Sequence, residues 1–91
     1  MFSWLYKQGV RSSLGFEVQR IDRFTIRYKE GIRFVNVYVE PGFSAGKPCV
    51  SISDSAFESW DNSSVANSVE EQQRIRRNFC DAMEFQGLDV L

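Results

Sequence analysis

The clearest pattern of apolar and polar positions lies over residues 68–87. Its apolar residues recur at positions i, i+4, i+7 and i+8, which places them in one stripe of an α-helix; they are Ile75, Phe79, Ala82 and Met83. Ser68 and Glu71 stand at the spacing of a capping box, and Gly87 can adopt the conformation that ends a helix. The pattern predicts one amphipathic helix whose apolar stripe packs against the rest of the chain.

Upstream of this helix the apolar positions alternate with polar ones, as in strands that bury one face. Alternating segments begin at Phe16 and at Phe24, the longest runs over 32–40, and another covers 48–53. Gly31 marks the reversal of a hairpin, because glycine readily adopts the positive φ that a tight turn needs. The alternation predicts a meander of antiparallel strands.

The chain therefore reads as one α+β domain, a small antiparallel sheet of four to five strands with one C-terminal helix packed on one face. The predicted segments are an N-terminal segment 1–15, a β-meander 16–53, a short turn and polar loop 54–67, the main helix 68–87 and a final edge strand 88–91. Within them, 1–8 is a strand or a helical turn, and composition predicts loops at 9–15 and 43–48, with Pro41-Gly42 ending the third strand. Asp54 is predicted to cap the short turn.

The third strand has two apolar faces. One row contains Ile32, Phe34, Asn36 and Tyr38, and the other contains Arg33, Val35, Val37 and Val39. A sheet covered by one helix buries a single face, so one row must lie against something else. Either the aromatic N-terminal segment covers it, or an aromatic row bordered by Arg27 is exposed to a partner. The second alternative defines a candidate patch of Arg27, Phe34 and Tyr38.

Composition narrows the function classes. The 91 residues are 43% hydrophobic, enough for one small core, and the net charge of −1 gives no overall attraction to nucleic acid or anionic lipid. Residues 1–47 carry eight Lys/Arg and four acids, whereas 48–91 carry three and eight, so the halves have net charges of +4 and −5. This separation either lets the two halves attract each other or steers a charged partner.

The residues that usually carry catalysis are scarce. There is no histidine, which rules out Ser-His and Cys-His pairs, and Cys49 with Cys80 cannot complete a four-ligand zinc site. Reduced thiols are the simpler interpretation of these two cysteines. Asp54 and Glu58 stand one helical turn apart, but a cap and an exposed turn face account for them better than a catalytic carboxylate pair. We predict no catalytic residue, no metal, no cofactor and no enzymatic activity.

The sequence shows no targeting or membrane segment. The first ten residues lack the continuous apolar region of a signal peptide, and no stretch has the apolar length of a membrane span. We expect a cytoplasmic protein without a membrane partner.

A family resemblance rests on the segment after the meander. A strand at 51–53, a turn ending in Trp60, a polar loop and a capped helix reading Ser-Val-Glu-Glu-Gln-Gln-Arg-Ile-Arg-Arg-Asn-Phe follow in order. Ala82, Phe85 and Gly87 stand near the end of this helix, and the preceding hairpin fits the same pattern. Over residues 20–90 the chain resembles immunity proteins of bacterial polymorphic-toxin and contact-dependent growth inhibition systems, in particular the immunity protein 74 family.

The resemblance implies an inhibitor that binds a cognate protein toxin, and such families carry no catalytic motif to transfer. Toxins of this class are often basic nucleases, and an acidic surface would compete for the cationic groups that hold phosphates. The partner-binding candidates are Asp54, Glu58, Trp60, Asp61, Glu70 and Glu71. Trp60 belongs to this set only if it is exposed, and we expect it to be buried.

Two other classes stay open. One is a non-catalytic scaffold or secretion-chaperone-like module that dimerises through the third strand. The other is a nucleic-acid-binding module that uses the arginines of the first half. Because acids surround the helical cluster Arg74, Arg76 and Arg77, we expect no nucleic-acid partner, and a monomer or weak homodimer.

Overall fold

A computed structural model describes all residues, 1–91, as an α+β fold with two sheets and one helix. The elements in chain order are β1 (Phe2–Tyr6), β2 (Gly9–Ser12), β3 (Phe16–Asp22), β4 (Thr25–Glu30), β5 (Arg33–Tyr38), β6 (Glu40–Ser44), β7 (Lys47–Ser51), α1 (Val69–Phe85) and β8 (Asp89–Val90). The predicted fold class is thus confirmed, with a second small sheet that the pattern did not indicate.

The first sheet is an antiparallel meander in the order β1-β2-β3-β4-β5. Its register places Tyr28 opposite both Val18 and Val35, so side chains of one face line up across three strands. The predicted reversal is present, with Gly31 at φ +61°. The N-terminal segment is a strand, which resolves the alternative left open for residues 1–8.

The loop predicted for residues 9–15 is wrong in its first half, because residues 9–12 form β2. Val10 and Ser12 of this strand are buried, and Val10 lies opposite Val18 of β3. A Cβ atom at Gly9 would meet the ring of Tyr6, so a larger residue there would have to displace that side chain. Composition misled the prediction because glycine and serine are typical of turns.

The second sheet has the order β6-β7-β8. β6 and β7 form a hairpin whose turn holds Ala45 at φ +53° and Gly46 at φ +77°. The loop predicted for residues 43–48 is therefore wrong except at its centre, where residues 45–46 form the turn, and Pro41 stands within β6 instead of ending the previous strand. An outer strand tolerates proline because only one side of its backbone bonds a neighbour. The final edge strand is confirmed as β8, which runs parallel to β7.

The helix begins and ends where the pattern predicts. The Ser68 hydroxyl accepts a hydrogen bond from the Glu71 N–H at 3.1 Å. At the other end Gly87 has φ +84°, and the Leu88 N–H donates to the Met83 carbonyl at 2.9 Å. These caps pair backbone groups that the helix leaves unpaired at its ends. Glu71 does not close the second half of a capping box, because its carboxylate bonds Arg74 instead.

The core lies between α1 and one face of the first sheet. Tyr28 stands in it, with its ring 5.4 Å from that of Phe16 and 6.0 Å from that of Trp60, distances typical of interacting aromatic pairs. The helical stripe is buried as predicted and contributes Ile75, Phe79, Ala82 and Met83. The same core takes in Val50 of the second sheet, so the two sheets share it.

The valine row of β5 faces this core. Val35, Val37 and Val39 are buried, whereas Tyr38 on the other row keeps 62% of its surface exposed. The N-terminal strand does not cover the second row, because β1 and β5 lie at opposite edges of the sheet. Of the two alternatives for this strand, the structure shows the exposed aromatic row. No helix in the chain is long and apolar enough to span a membrane.

Candidate partner-binding surfaces

The structure places Asp61 against the free edge of β5. Its carboxylate Oδ2 accepts the Asn36 N–H at 2.8 Å, and its own N–H donates to the Phe34 carbonyl at 2.8 Å. The neighbouring Asn62 donates its side-chain amide to the Ile32 carbonyl at 2.7 Å. Two side chains of a loop thereby cover backbone groups that an edge strand leaves unpaired. Asp61 is thus part of the sheet edge as well as of the surface.

Trp60 is buried, as expected, with 3% of its surface exposed. Its ring stacks on Tyr28, and the Arg33 guanidinium lies 4.8 Å from the ring centre on the solvent side. The indole N–H has no hydrogen-bond acceptor. The condition for a partner-binding role, an exposed ring, is not met.

Glu70 and Glu71 differ although they are adjacent. Glu71 is half-buried and bonds the Arg74 Nε at 2.6 Å, so it holds a side chain of its own helix. Glu70 is exposed in the first turn and forms no ion pair. Asp54 is also exposed, but it does not cap its turn. The Ser53 hydroxyl accepts the Ser55 N–H there, at 3.2 Å.

A polar network that the sequence did not reveal joins α1 to the first sheet. The Glu30 carboxylate receives two hydrogen bonds from Arg74, at 2.8 and 3.0 Å, and one from the Tyr28 hydroxyl, which itself accepts from Asn78 at 3.0 Å. Burial raises the pKa of Glu30, but the hydrogen bonds from Arg74 and Tyr28 outweigh burial and hold this pKa below its ordinary value. Burial also raises the pKa of Tyr28 well above its usual range. The network pairs the Glu30 carboxylate and the Tyr28 hydroxyl within the molecule.

Glu58 and Asp61 are brought together by the turn that follows β7. Both line an open groove of about 470 Å³ between β5 and the 55–66 segment. The remaining lining is uncharged, and consists of Val35, Asn36, Ser55, Ala56, Ser59, Ser64 and Ala66. We call this the acidic groove. It brings together Glu58 and Asp61, two of the six partner-binding candidates. Asp54 is exposed but does not line the groove, and Glu70 lies on the helix.

The second predicted patch is assembled on the solvent side of the first sheet. Lys29 lies opposite Phe34, and Arg27 lies opposite Asn36, so these side chains share one face with Tyr38. The Arg27 guanidinium stacks over the Phe34 ring at 4.7 Å and donates to the Asn36 amide oxygen at 2.9 Å. All three candidates of this patch therefore lie on one surface.

Phe24 extends this surface, which the sequence did not predict. The alternation placed Phe24 on the buried row with Ile26, but β4 begins only at Thr25. In the preceding turn, the Phe24 ring stacks on the Tyr38 ring with 6.3 Å between their centres. The Arg23 guanidinium lies 5.5 Å from the centre of the Phe24 ring. We call the surface formed by Phe24, Arg27, Lys29, Phe34 and Tyr38, with Arg23 in the turn at its end, the outer sheet face; Arg23 also borders an open pocket with Gln86 and Leu88.

Comparisons with protein-family models, with curated proteins and with solved structures find no match to this chain. The resemblance to immunity proteins stays a prediction that rests on the residues quoted for it. No cluster of three or more His, Cys, Asp or Glu side chains is arranged to hold a metal ion.

Proposed function

We propose that this protein is a cytoplasmic immunity protein that binds and neutralises a cognate bacterial toxin, of nuclease type, through the acidic groove. The observation that carries the proposal is the convergence of Glu58 and Asp61 on one open groove without a lysine or arginine in its lining. Two carboxylates in such a place offer charge-assisted hydrogen bonds to cationic side chains of a partner. Nuclease toxins use such cations to hold phosphates, so occupying them would block the toxin.

The groove is held in a defined shape before any partner binds. Asp61 is positioned by the backbone of β5, as described above. The turn that carries Glu58 is tied to the segment before α1, because the Asn67 N–H donates to the Glu58 carbonyl at 2.8 Å and its side-chain amide donates to the Phe57 carbonyl at 3.1 Å. Preorganised groups lose less conformational freedom on binding, which favours tight inhibition.

The test combines capture with rescue of growth. The tagged chain is used to capture partners from cells that encode its neighbouring genes, and the captured protein's toxic domain is then co-expressed with the chain. We expect wild type to restore growth and Glu58→Lys to lose both capture and rescue. Asp81→Lys, the same charge reversal at an exposed helical position outside the groove, should retain both.

Two results would overturn the proposal. If the wild-type chain fails to restore growth against the toxic domain that it captures, the protein is not an inhibitor of it. If Glu58→Lys and Asp81→Lys behave alike while both remain folded, the acidic groove is not the binding surface.

The alternative function is a non-catalytic scaffold or secretion-chaperone-like module that dimerises. Exposure of Tyr38 and Phe24 on the outer sheet face favours it, since exposed aromatic residues are enriched at protein interfaces. Light scattering separates the two functions, because a tight dimer without any toxin supports the scaffold.

A further inference from the structure

The cations of the outer sheet face form no ion pair within the molecule. Every ion pair of the chain is made by Arg11, Arg33, Lys47 or Arg74, so Arg23, Arg27 and Lys29 have none. The nearest acid in the register is Glu17, opposite Lys29, and its carboxylate bonds Arg11 at 2.9 Å instead. Asp22, the last residue of β3 and next to Arg23, accepts the Phe24 N–H. A cationic surface remains on a protein whose net charge is −1.

Planar groups are interleaved with these cations. Tyr38 and Phe24 keep 62% and 44% of their surfaces exposed and stack at an interplanar angle of 23°. The Arg27 guanidinium adds a third plane over Phe34. Aromatic rings and arginine planes are the groups on which unpaired nucleobases stack.

The spacing of the rings and cations on this face suits an extended single strand of nucleic acid that runs along β5. Phe34 and Tyr38 are four residues apart on one face of β5, which corresponds to about 13 Å along the strand. Arg27 and Lys29 lie on the neighbouring strand, about 5 Å to the side. Stacking planes therefore alternate with cations over a length of a few nucleotides.

We propose that the outer sheet face binds single-stranded nucleic acid, with bases stacked on Tyr38 and Phe24 and phosphates held by Arg23, Arg27 and Lys29. A duplex is a poorer occupant because its bases are paired and turned inward, out of reach of rings on an open sheet. The expectation of no nucleic-acid partner came from charge patterns along the sequence, but the fold gathers unpaired cations on one face. This site meets the acidic groove only at Asn36, and it does not depend on the proposed function.

The test is fluorescence anisotropy with a labelled single-stranded mixed RNA of about 12 nucleotides. We expect the wild-type chain to bind at low salt and to weaken steeply as salt rises, since phosphate contacts release counterions. Tyr38→Ala should weaken binding about tenfold or more by removing a stacking plane, and Tyr38→Phe should restore most of it. Lys29→Ala should lower the slope of log affinity against log salt by about 0.7.

The matched control is Arg77→Ala. Arg77 is an exposed cation without an ion pair on α1, which covers the opposite face of the sheet. Its loss should leave the affinity and the salt slope unchanged. Folding of each variant is verified by circular dichroism before binding is compared.

Several results would overturn this inference. If the wild-type chain does not bind the RNA at low salt, the outer sheet face is not a nucleic-acid site. If Arg77→Ala and Lys29→Ala lose equal affinity, the binding is non-specific charge attraction. Binding of the matched duplex as tightly, with no effect of Tyr38→Ala, excludes stacking. Equal competition by polyglutamate assigns the face to an acidic protein, and a dimer broken by Tyr38→Ala assigns it to a second copy of the chain.

Discussion

Arg74 of α1 holds Glu30 of β4 through two parallel hydrogen bonds, Nη1 to Oε2 at 2.8 Å and Nη2 to Oε1 at 3.0 Å. The Glu30 side chain is 14% exposed and the Arg74 side chain 43%, so the pair lies at the boundary of the core. Forked arginine–carboxylate pairs fix relative orientation as well as adding energy. This contact ties the helix to β4 beside the packing of its apolar stripe.

Replacing Arg74 with methionine should destabilise the fold. The substitution keeps much of the side-chain bulk but leaves the largely buried Glu30 carboxylate without its main partner, which costs about 2 kcal/mol. Urea unfolding measures the change. Arg77→Met, on the exposed side of the same helix, should change the free energy of unfolding by less than about 0.5 kcal/mol. Equal effects of the two substitutions would show that the ion pair contributes little.

Stability should decline in acid through Glu30. Its pKa is lower in the folded protein than the ordinary value of 4.5, so the unfolded chain takes up the proton first as the pH falls. The contribution is therefore present above about pH 4.5 and is lost as the pH falls through the folded pKa. Urea unfolding at several pH values should give a shallower acid decline for Glu30→Gln than for wild type. Parallel declines would assign acid sensitivity to other carboxylates.

Removing the Asp61 carboxylate should loosen the edge of β5. In Asp61→Ala the Asn36 N–H loses its acceptor, which should cost about 1 kcal/mol and speed hydrogen exchange at that amide. Asp61→Asn keeps an acceptor oxygen and serves as the control. If Asp61→Ala exchanges no faster than Asp61→Asn at Asn36, the side chain does not protect the edge.

Replacing Ala45, in the turn between β6 and β7, should stabilise the fold. Alanine at φ +53° carries a steric penalty that asparagine tolerates better, and asparagine followed by Gly46 is a favoured hairpin turn. We expect Ala45→Asn to raise the free energy of unfolding by about 0.5–1 kcal/mol. Gly46→Ala, at φ +77°, should lower it. Thermal unfolding distinguishes the variants, and a shift of both in one direction would contradict this account of the turn.

Both cysteines should be free thiols that react slowly in the folded protein. Cys49 is buried, and burial raises the pKa of the half-buried Cys80, so little thiolate is present at neutral pH. Titration with a chromophoric thiol reagent should show slow labelling in buffer and two reactive thiols in denaturant. A chain that shows no thiol in denaturant without reductant would contain a disulfide instead.

The parts of the fold that the pattern predicted are those that depend on neighbours in the sequence. Apolar residues spaced for a helix, Ser68 as its cap and Gly87 at its end act within a few residues of one another, and the structure confirms them. The β2 strand was missed because its evidence is its pairing with β1 and β3, not its glycine- and serine-containing composition.

The candidate surfaces likewise combine features set by neighbouring residues with features set by contacts between distant segments. Alternation along the third strand was enough to place Phe34 and Tyr38 on one row, but it could not say which row faces the helix. That choice depends on hairpin register and on packing of the valine row against the core. Phe24 joined the row only because the turn before Thr25 carries it onto Tyr38.

The class of fold, the position of the helix and the separation of charge along the chain follow from the sequence alone, because periodicity and charge are properties of consecutive residues. Folding brings Arg74 to Glu30, 44 positions away, and Asp61 to Asn36, 25 positions away. It also left the cations of the outer sheet face without ion pairs. Such contacts depend on how the chain closes on itself, which no local pattern specifies.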